Sequence, residues 1–232
     1  MTPKKEFLKS LSMFSALSDT DLIRLSDMAK EFVYKNGEYV FYEGDSPDWF
    51  CIVKEGNIKA IKQAEDGKEI IMHMFKAGDT FGEVAVFDRR PYPASALTVG
   101  QTTVIKFHHT HCFEILETMP EVAAKFLLTM GRKQREFVKQ IESALTSRVE
   151  KRIANTLLKL AIMTDAVRGK SINLHLTRKD IASMVGTTIE TTIRVMSRFQ
   201  KEGVIETTRI GITILKPEKL QEICGQEDDD KI

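Results

Sequence analysis

The chain has 232 residues, 42% hydrophobic and 29% charged, with a formal net charge of +1. This balance suits one large or two ordinary globular domains, and it excludes a basic field over the whole surface, so nucleic-acid binding would need a local patch. Cys51, Cys112 and Cys224 are far apart with no CxxC pair, which argues against a disulfide scaffold, a zinc site or a four-cysteine iron–sulfur cluster. No run is long enough to cross a membrane, and MTPKKEFLKS lacks the apolar core of a signal peptide, so the cytoplasm is the expected location.

Residues 4–30 read as helical, with Ser18 and Asp21 in capping-box positions. From Glu31 the texture changes. The runs FVY, YVFY, WFCIV, IKAIK, EIIMHMF, ALTV and TTVIKF alternate with turn signals such as Asn36-Gly37, Glu55-Gly56-Asn57 and Glu65-Asp66-Gly67. Strands at this spacing predict a jelly roll or barrel. Cys51, between Phe50 and Ile52, reads as core, and its redox activity stays open.

After Thr110 the strands stop. HCFEILETM predicts a short helix, and Pro120 can start a longer one. Leu127, Met130, Gln134, Phe137, Ile141 and Ala144 recur at alternating spacings of three and four. That heptad seam implies a partner helix, hence a homodimer; packing on the chain's own roll is the alternative. Residues 148–163 predict an amphipathic helix with Ile153, Leu157, Leu160 and Ala161 inward. Ser171 to Leu176 reads as a strand.

Thr177 to Gly203 reads as helix, glycine turn, helix. Thr177 and Asp180 form a capping box, Ile181, Met184 and Val185 share a face, and Gly186 can end the first helix in the left-handed conformation. Thr187 is expected to open the second, with Glu190 at its capping-box position. Thr192, Val195, Met196 and Phe199 form the inward stripe. Ile189, Glu190, Ile193 and Arg194 point outward. Arg can bond guanine bidentately, Glu can accept from cytosine N4, and apolar groups can touch a thymine methyl. Thr177, Arg178, Lys179, Thr188, Thr191 and Arg198 complete the candidate DNA-binding set, with the cations on phosphates. The plain alternative makes Glu190 and Arg194 an i,i+4 surface pair worth ~0.3–0.5 kcal/mol. VIETTRIGITIL then predicts a hairpin turning near Arg209-Ile210-Gly211, Pro217 starts a last helix, and QEDDDKI is an acidic tail.

The segment LTRKDIASMVGTTIETTIRVMSRFQKEGVI resembles the recognition motif of the CRP/FNR family of bacterial transcription regulators. The order of roll, long helix and winged helix-turn-helix is also that family's. The resemblance implies an α+β chain: an N-terminal cyclic-nucleotide-binding-like β-roll (jelly roll) with helices over residues 1–118, a dimerisation helix over 119–147 and a winged helix-turn-helix over 148–232. It implies that Glu190 and Arg194 read a G·C pair in each half of a pseudo-palindromic operator on double-stranded DNA, and that RNA polymerase is a partner. Ile193 stands where FNR-type members carry Ser, which leaves the operator sequence open.

In the family's nucleotide-binding members, a cassette of the form FGE…R(S/T)A holds the ligand. Here it reads Phe81-Gly82-Glu83-Val84-Ala85-Val86-Phe87 followed by DRRPYPASA. Gly82 and Glu83 match, but the Arg-Ser pair falls at Pro93-Ala94. A buried phosphate without its Arg costs roughly 3–5 kcal/mol by analogy with broken buried pairs. The Thr-Ser pair that CRP places against adenine falls at Phe137-Val138. Both departures disfavour cyclic AMP, and the effector pocket is expected at Gly82, Glu83, Val84, Pro93, Ala94, Phe137 and Val138. FNR's N-terminal cysteine cluster has no counterpart before Cys51. Pro91 to Ala96 resembles the nitrosative-stress regulators DNR and HcpR, which are linked to haem and nitric oxide, so haem is a candidate effector with His73 as candidate ligand. His108, His109 and His111 lie at the roll's exit. The alternatives are a cyclic-nucleotide-responsive regulator of the same fold, and a cupin-like or protein-interaction module that binds no DNA; no enzymatic activity is expected.

Overall fold

The computed structural model describes residues 3–64, 67, 69–164, 166, 171–172, 176–208 and 211–225. These fall into two compact units: residues 1–62 with 72–138, and residues 63–71 with 139–232.

The first unit begins with α1 (Pro3–Ser10) and α2 (Asp19–Met28), separated by turns within the stretch read as helical, and α2 starts at the expected Ser18 cap. Ser18 explains the restart: its hydroxyl accepts from the Asp21 backbone N–H at 3.1 Å and donates to the Asp21 carboxylate at 2.6 Å. Leu8, Leu22 and Leu25 are fully buried.

The roll is built from β1 (Ala29–Tyr34), β2 (Tyr39–Phe41), β3 (Trp49–Gln63), β4 (Glu69–Lys76), β5 (Thr80–Phe81) and β6 (Ser95–His108), with the short α3 (Glu83–Asp88) after β5. The sheet runs β1-β6-β3-β4, with β2 on β6 and β5 on β3. Side chains alternate across a strand. Phe50, Ile52, Ile105 and Phe107 therefore join the core with α1 and α2, while Cys51, Val53 and Val104 join a second core with Val40, Ile58 and Phe81.

Two strands are longer than expected. WFCIV and IKAIK fuse into β3, and ALTV and TTVIKF into β6. Glu55-Gly56-Asn57 is not a turn but a register shift inside β3, opposite Thr103 and Val99 of β6. Gly56 has φ +83°, and a Cβ there would stand 2.5 Å from the Gln101 carbonyl oxygen. Glycine thus lets the two ladders cross at contact distance, so the strand bends where a turn signal was read. Within the Glu65-Asp66-Gly67 turn, only Gly67 is a described residue.

α4 (His109–Thr118) leads to α5 (Pro120–Thr146), which runs 27 residues. Val122 is its buried residue. Leu127, Phe137 and Ile141 of the expected seam are 69%, 43% and 61% exposed, and Met130 is partly covered. Gln134 and Ala144 are exposed too. Leu128, Val138 and Leu145, off the a/d positions, are also exposed, so the bare apolar stripe is wider than the seam read from sequence.

In the second unit, α6 (Val149–Met163) buries Ile153, Ala154, Leu157, Leu160 and Ala161. They pack with α7 (Arg178–Val185), α8 (Ile189–Lys201) and α9 (Pro217–Cys224). A small sheet, β7 (Ser171–Ile172), β9 (Ile212–Ile214) and β8 (Ile205–Thr207), lies in that order. The predicted strand to Leu176 is described only at its ends, and Arg209, Ile210 and the acidic tail lie outside the described residues.

Candidate nucleic-acid interface and effector site

Thr177 caps α7 through a reciprocal box: its hydroxyl accepts from the Asp180 N–H at 3.1 Å, and the Asp180 carboxylate accepts from the Thr177 N–H at 2.8 Å. Gly186 ends α7 at φ 68°. The second cap differs from expectation. Thr188, not Thr187, is the N-cap of α8, and its partner is the Thr191 N–H at 3.2 Å, not Glu190. The Thr188 hydroxyl also donates to Thr191 Oγ1 at 3.1 Å. The shift by one residue frees Glu190 from capping.

Thr192, Val195, Met196 and Phe199 form the buried stripe of α8 as predicted. Its opposite face exposes Ile189 (40%), Glu190, Ile193 (47%) and Arg194. Among the described residues, neither Glu190 nor Arg194 has an ion-pair or hydrogen-bond partner, so the i,i+4 pair is not formed. Arg198 is committed: its guanidinium pairs with Glu150 of α6 and lies over Phe199. Arg178 is partly covered and Lys179 exposed at the start of α7. Arg152 of α6 ties the turn in place by donating to the carbonyls of Ser147 (2.7 Å) and Val185 (3.1 Å).

In the roll, Gly82 is the N-cap of α3 at φ 77°, and a Cβ there would meet the Trp49 carbonyl oxygen at 3.0 Å and the Tyr92 ring at 3.3 Å. Glu83 is buried. Its Oε1 accepts from Lys133 Nζ of α5 at 2.7 Å, while Oε2 is buried with no partner among the described residues. Lys133 also donates to the Thr80 carbonyl (2.6 Å) and hydroxyl (3.1 Å) and lies over the Phe75 ring. Lys133 was not among the residues expected at the site, and no local pattern in the sequence links it to Glu83, fifty positions away.

Val84 is 56% exposed and Val138 59%, so neither is an enclosed pocket wall. Pro93 is exposed and Ala94 partly covered. Their segment is pinned by Tyr92, which stacks on Phe41 at 3.7 Å, donates to the Trp49 carbonyl at 2.7 Å and accepts from the Trp49 N–H at 2.9 Å. Arg89 places its guanidinium over Phe113. Arg89 therefore does not refill the position of the missing cassette arginine.

His73 lies beside Phe75 (4.7 Å between ring centroids) and Phe137 (6.2 Å). Burial and then the Lys133 charge hold its pKa below the usual imidazole value. His108 stacks near His109 and His111, but no group of three or more His, Cys, Asp or Glu among the described residues could hold a metal. Cys51 and Cys112 are buried, and burial pushes each thiol up to about 12. An apolar void lined by Phe14, Phe50, Phe107 and Phe126 measures about 30 Å³, too small for a nucleotide or a haem.

These two units define a class: a nucleotide-fold sensor roll in one chain with a winged helix-turn-helix. Residues 31–119 match the cyclic nucleotide-binding domain, and residues 151–223 match the Crp-like helix-turn-helix domain. The chain is 25% identical over 217 residues to the CRP-like cAMP-activated global transcriptional regulator of Mycobacterium tuberculosis, covering 93% of this chain and 97% of that one. It is 26% identical to the transcriptional activator protein FnrA of Stutzerimonas stutzeri, covering 94% and 90%. The structure of FixK2 from Bradyrhizobium japonicum superposes with a TM-score of 0.75 at 20% identity, covering 84% of this chain and 96% of that one. The chain belongs to the CRP/FNR family of transcriptional regulators. No helix among the described residues is long and apolar enough to cross a membrane.

Proposed function

We propose that this regulator is a cytoplasmic homodimer that reads a pseudo-palindromic operator through α8 and recruits or blocks RNA polymerase under control of a small effector in the roll. The observation that carries the DNA reading is the exposed face of α8. Glu190 and Arg194 stand there without partners among the described residues, beside two exposed isoleucines that gain nothing from water. Glu190 accepts from cytosine N4, Arg194 bonds guanine, and Ile189 and Ile193 contact thymine methyls. Arg178 and Lys179 bind phosphate, with Thr177, Thr188 and Thr191 fixing the helix starts, and Arg198 reaches a phosphate only by releasing Glu150. The bare stripe of α5, from Leu127 through Met130, Gln134, Phe137 and Ile141 to Ala144, is the dimer seam over residues 119–147. A two-fold axis along it sets two α8 helices one DNA turn apart, ~34 Å. Residues 1–118 form the effector unit and 148–232 the DNA-binding unit.

Arg194→Ala should weaken cognate binding by ~1–3 kcal/mol and relax preference at the guanine, read by mobility shift against an operator selected from random sequence. An equal loss on cognate and random DNA would make Arg194 a phosphate contact and overturn the base-reading role. Affinity should fall steeply with salt.

The effector is not held as a cyclic nucleotide is in the cassette. Pro93 and Ala94 supply no cation, and Lys133 already occupies Glu83. The relative named as cAMP-activated is therefore a guide to the fold of the site and not to its ligand. Haem is the effector for which the chain offers a ligand: His73, half-buried beside Phe75 and Phe137 and kept neutral by burial and by Lys133. A neutral imidazole can coordinate iron, and the aromatic walls suit a porphyrin. Anaerobic haemin titration should saturate at one per chain with a sharp Soret band that His73→Ala abolishes. Weak, unsaturable uptake would refute haem, and a thermal-shift screen that included cyclic nucleotides would then identify the effector.

A further inference from the structure

The second unit contains a polar cavity that the DNA-binding reading does not use. It has a volume of about 250 Å³ and lies among the C-terminal turns of α5, the start of α6 and the end of α9. That exceeds the ~150 Å³ of a cavity known to admit benzene. Lys139 and Ser143 line it from α5, Ser147 from the α5–α6 junction, and Lys151 and Asn155 from α6. Among the described residues, none of these five side chains has a hydrogen-bond or ion-pair partner.

Lys139 is exposed and Ser143, Ser147, Lys151 and Asn155 are partly covered, so all five side chains remain free to bond a ligand that enters the concavity. The walls are fixed. Arg152 holds the Ser147 carbonyl at 2.7 Å, the Cys224 thiol points to the Lys151 carbonyl at 4.0 Å, and the Lys151 ammonium lies 3.6 Å from where a Cβ on Gly225 would stand. The cavity also avoids the seam. Lys139, Glu142, Ser143 and Thr146 fall between the heptad a and d positions of α5, so a partner helix on Phe137, Ile141 and Ala144 would leave it open.

We propose that this cavity binds a small phosphorylated, hydroxyl-bearing metabolite, as a second effector site distinct from the roll. Two ammonium groups match the two charges of a phosphate monoester, and the Ser143 and Ser147 hydroxyls and the Asn155 amide donate to its oxygens. Glu142, the one carboxylate on the lining among the described residues, would repel a bare phosphate but accepts a hydrogen bond from a hydroxyl on the same ligand. A ligand there touches α5 and α6 together, the junction through which any rearrangement of the long helix reaches the helix-turn-helix.

The test uses the full chain and three probes: ribose 5-phosphate, ribose and inorganic phosphate. Calorimetric titration should give one saturable ribose 5-phosphate site per chain, at least tenfold tighter than inorganic phosphate, with no binding of ribose. Cys224 lines the cavity, so its alkylation by iodoacetamide should slow when the phosphate ester is bound. Lys139→Met with Lys151→Met should lower affinity at least tenfold and remove the protection, while circular dichroism and the DNA-binding unit's melting stay intact. Glu142→Gln should narrow the gap between ribose 5-phosphate and inorganic phosphate. Binding that survives the double lysine variant, or that leaves Cys224 unprotected, would place the ligand elsewhere and overturn the proposal. Equal affinity for the ester and the bare ion would overturn the hydroxyl-bearing class. Failure here leaves the Arg194 prediction untouched, since that variant is read on DNA without any metabolite.

Discussion

Lys133→Met should destabilise the first unit by about 3 kcal/mol. The lysine supplies three hydrogen bonds: to the Thr80 carbonyl at 2.6 Å, to its hydroxyl at 3.1 Å and to Glu83 Oε1 at 2.7 Å. Glu83 Oε2 already lacks a partner. Without the ammonium, a side chain only 7% exposed would have neither oxygen satisfied. Removing one member of a buried pair costs ~3–5 kcal/mol. Lys133 is itself 20% exposed, so water can enter its space and the lower end applies. The double variant Lys133→Met with Glu83→Met should recover most of the loss, because no charge then stays buried. Trp49 is the single tryptophan and lies in β3, so its fluorescence in urea reports on the roll. With a slope of ~1–3 kcal/mol per M, the single variant should shift the midpoint by roughly 1–3 M. If single and double variants unfold at the same midpoint, the pair is not an electrostatic unit and this reasoning fails.

Three further outcomes are expected. Ile141→Glu introduces a charge on a seam position that is 61% exposed in one chain; sedimentation should show dimers becoming monomers, and a wild type that is already monomeric would remove the seam. Gly56→Ala should cost about 3 kcal/mol or more, since its Cβ would stand 2.5 Å from Gln101 O on top of left-handed strain. Gly100→Ala has similar φ but nothing within 4 Å and should lose only ~1–2 kcal/mol; equal losses would show that the close approach is not real. Cys51 and Cys112, each held at about 12 by burial, should resist thiol reagents at pH 8 in the native chain. Because their folded pKa values exceed the unfolded ones, the stability linked to them is intact below pH ~9 and is lost as pH rises towards 12. Rapid reaction of all three thiols at pH 8 without denaturant would contradict that burial.

The sequence by itself determined the helix-turn-helix almost completely. Its periodicity, its Thr177–Asp180 box and Gly186 are local signals, and local signals are set by backbone chemistry within a turn or two. It also showed that residues 31–108 are built mainly from strands, though not the short α3 among them, and that α5 carries an apolar stripe. Tertiary structure decided what depends on residues distant in sequence. Glu55-Gly56-Asn57 reads as a turn in isolation and becomes a bulge only because β6 crosses it. Glu83 meets Lys133 fifty positions away, and no spacing rule connects them. Thr188 rather than Thr187 caps α8 because the buried stripe of Thr192, Val195, Met196 and Phe199 fixes the helix's rotation against its unit's core. The cavity among α5, α6 and α9 exists only once three helices are packed, so its lysines and serines look like ordinary surface residues in the linear chain.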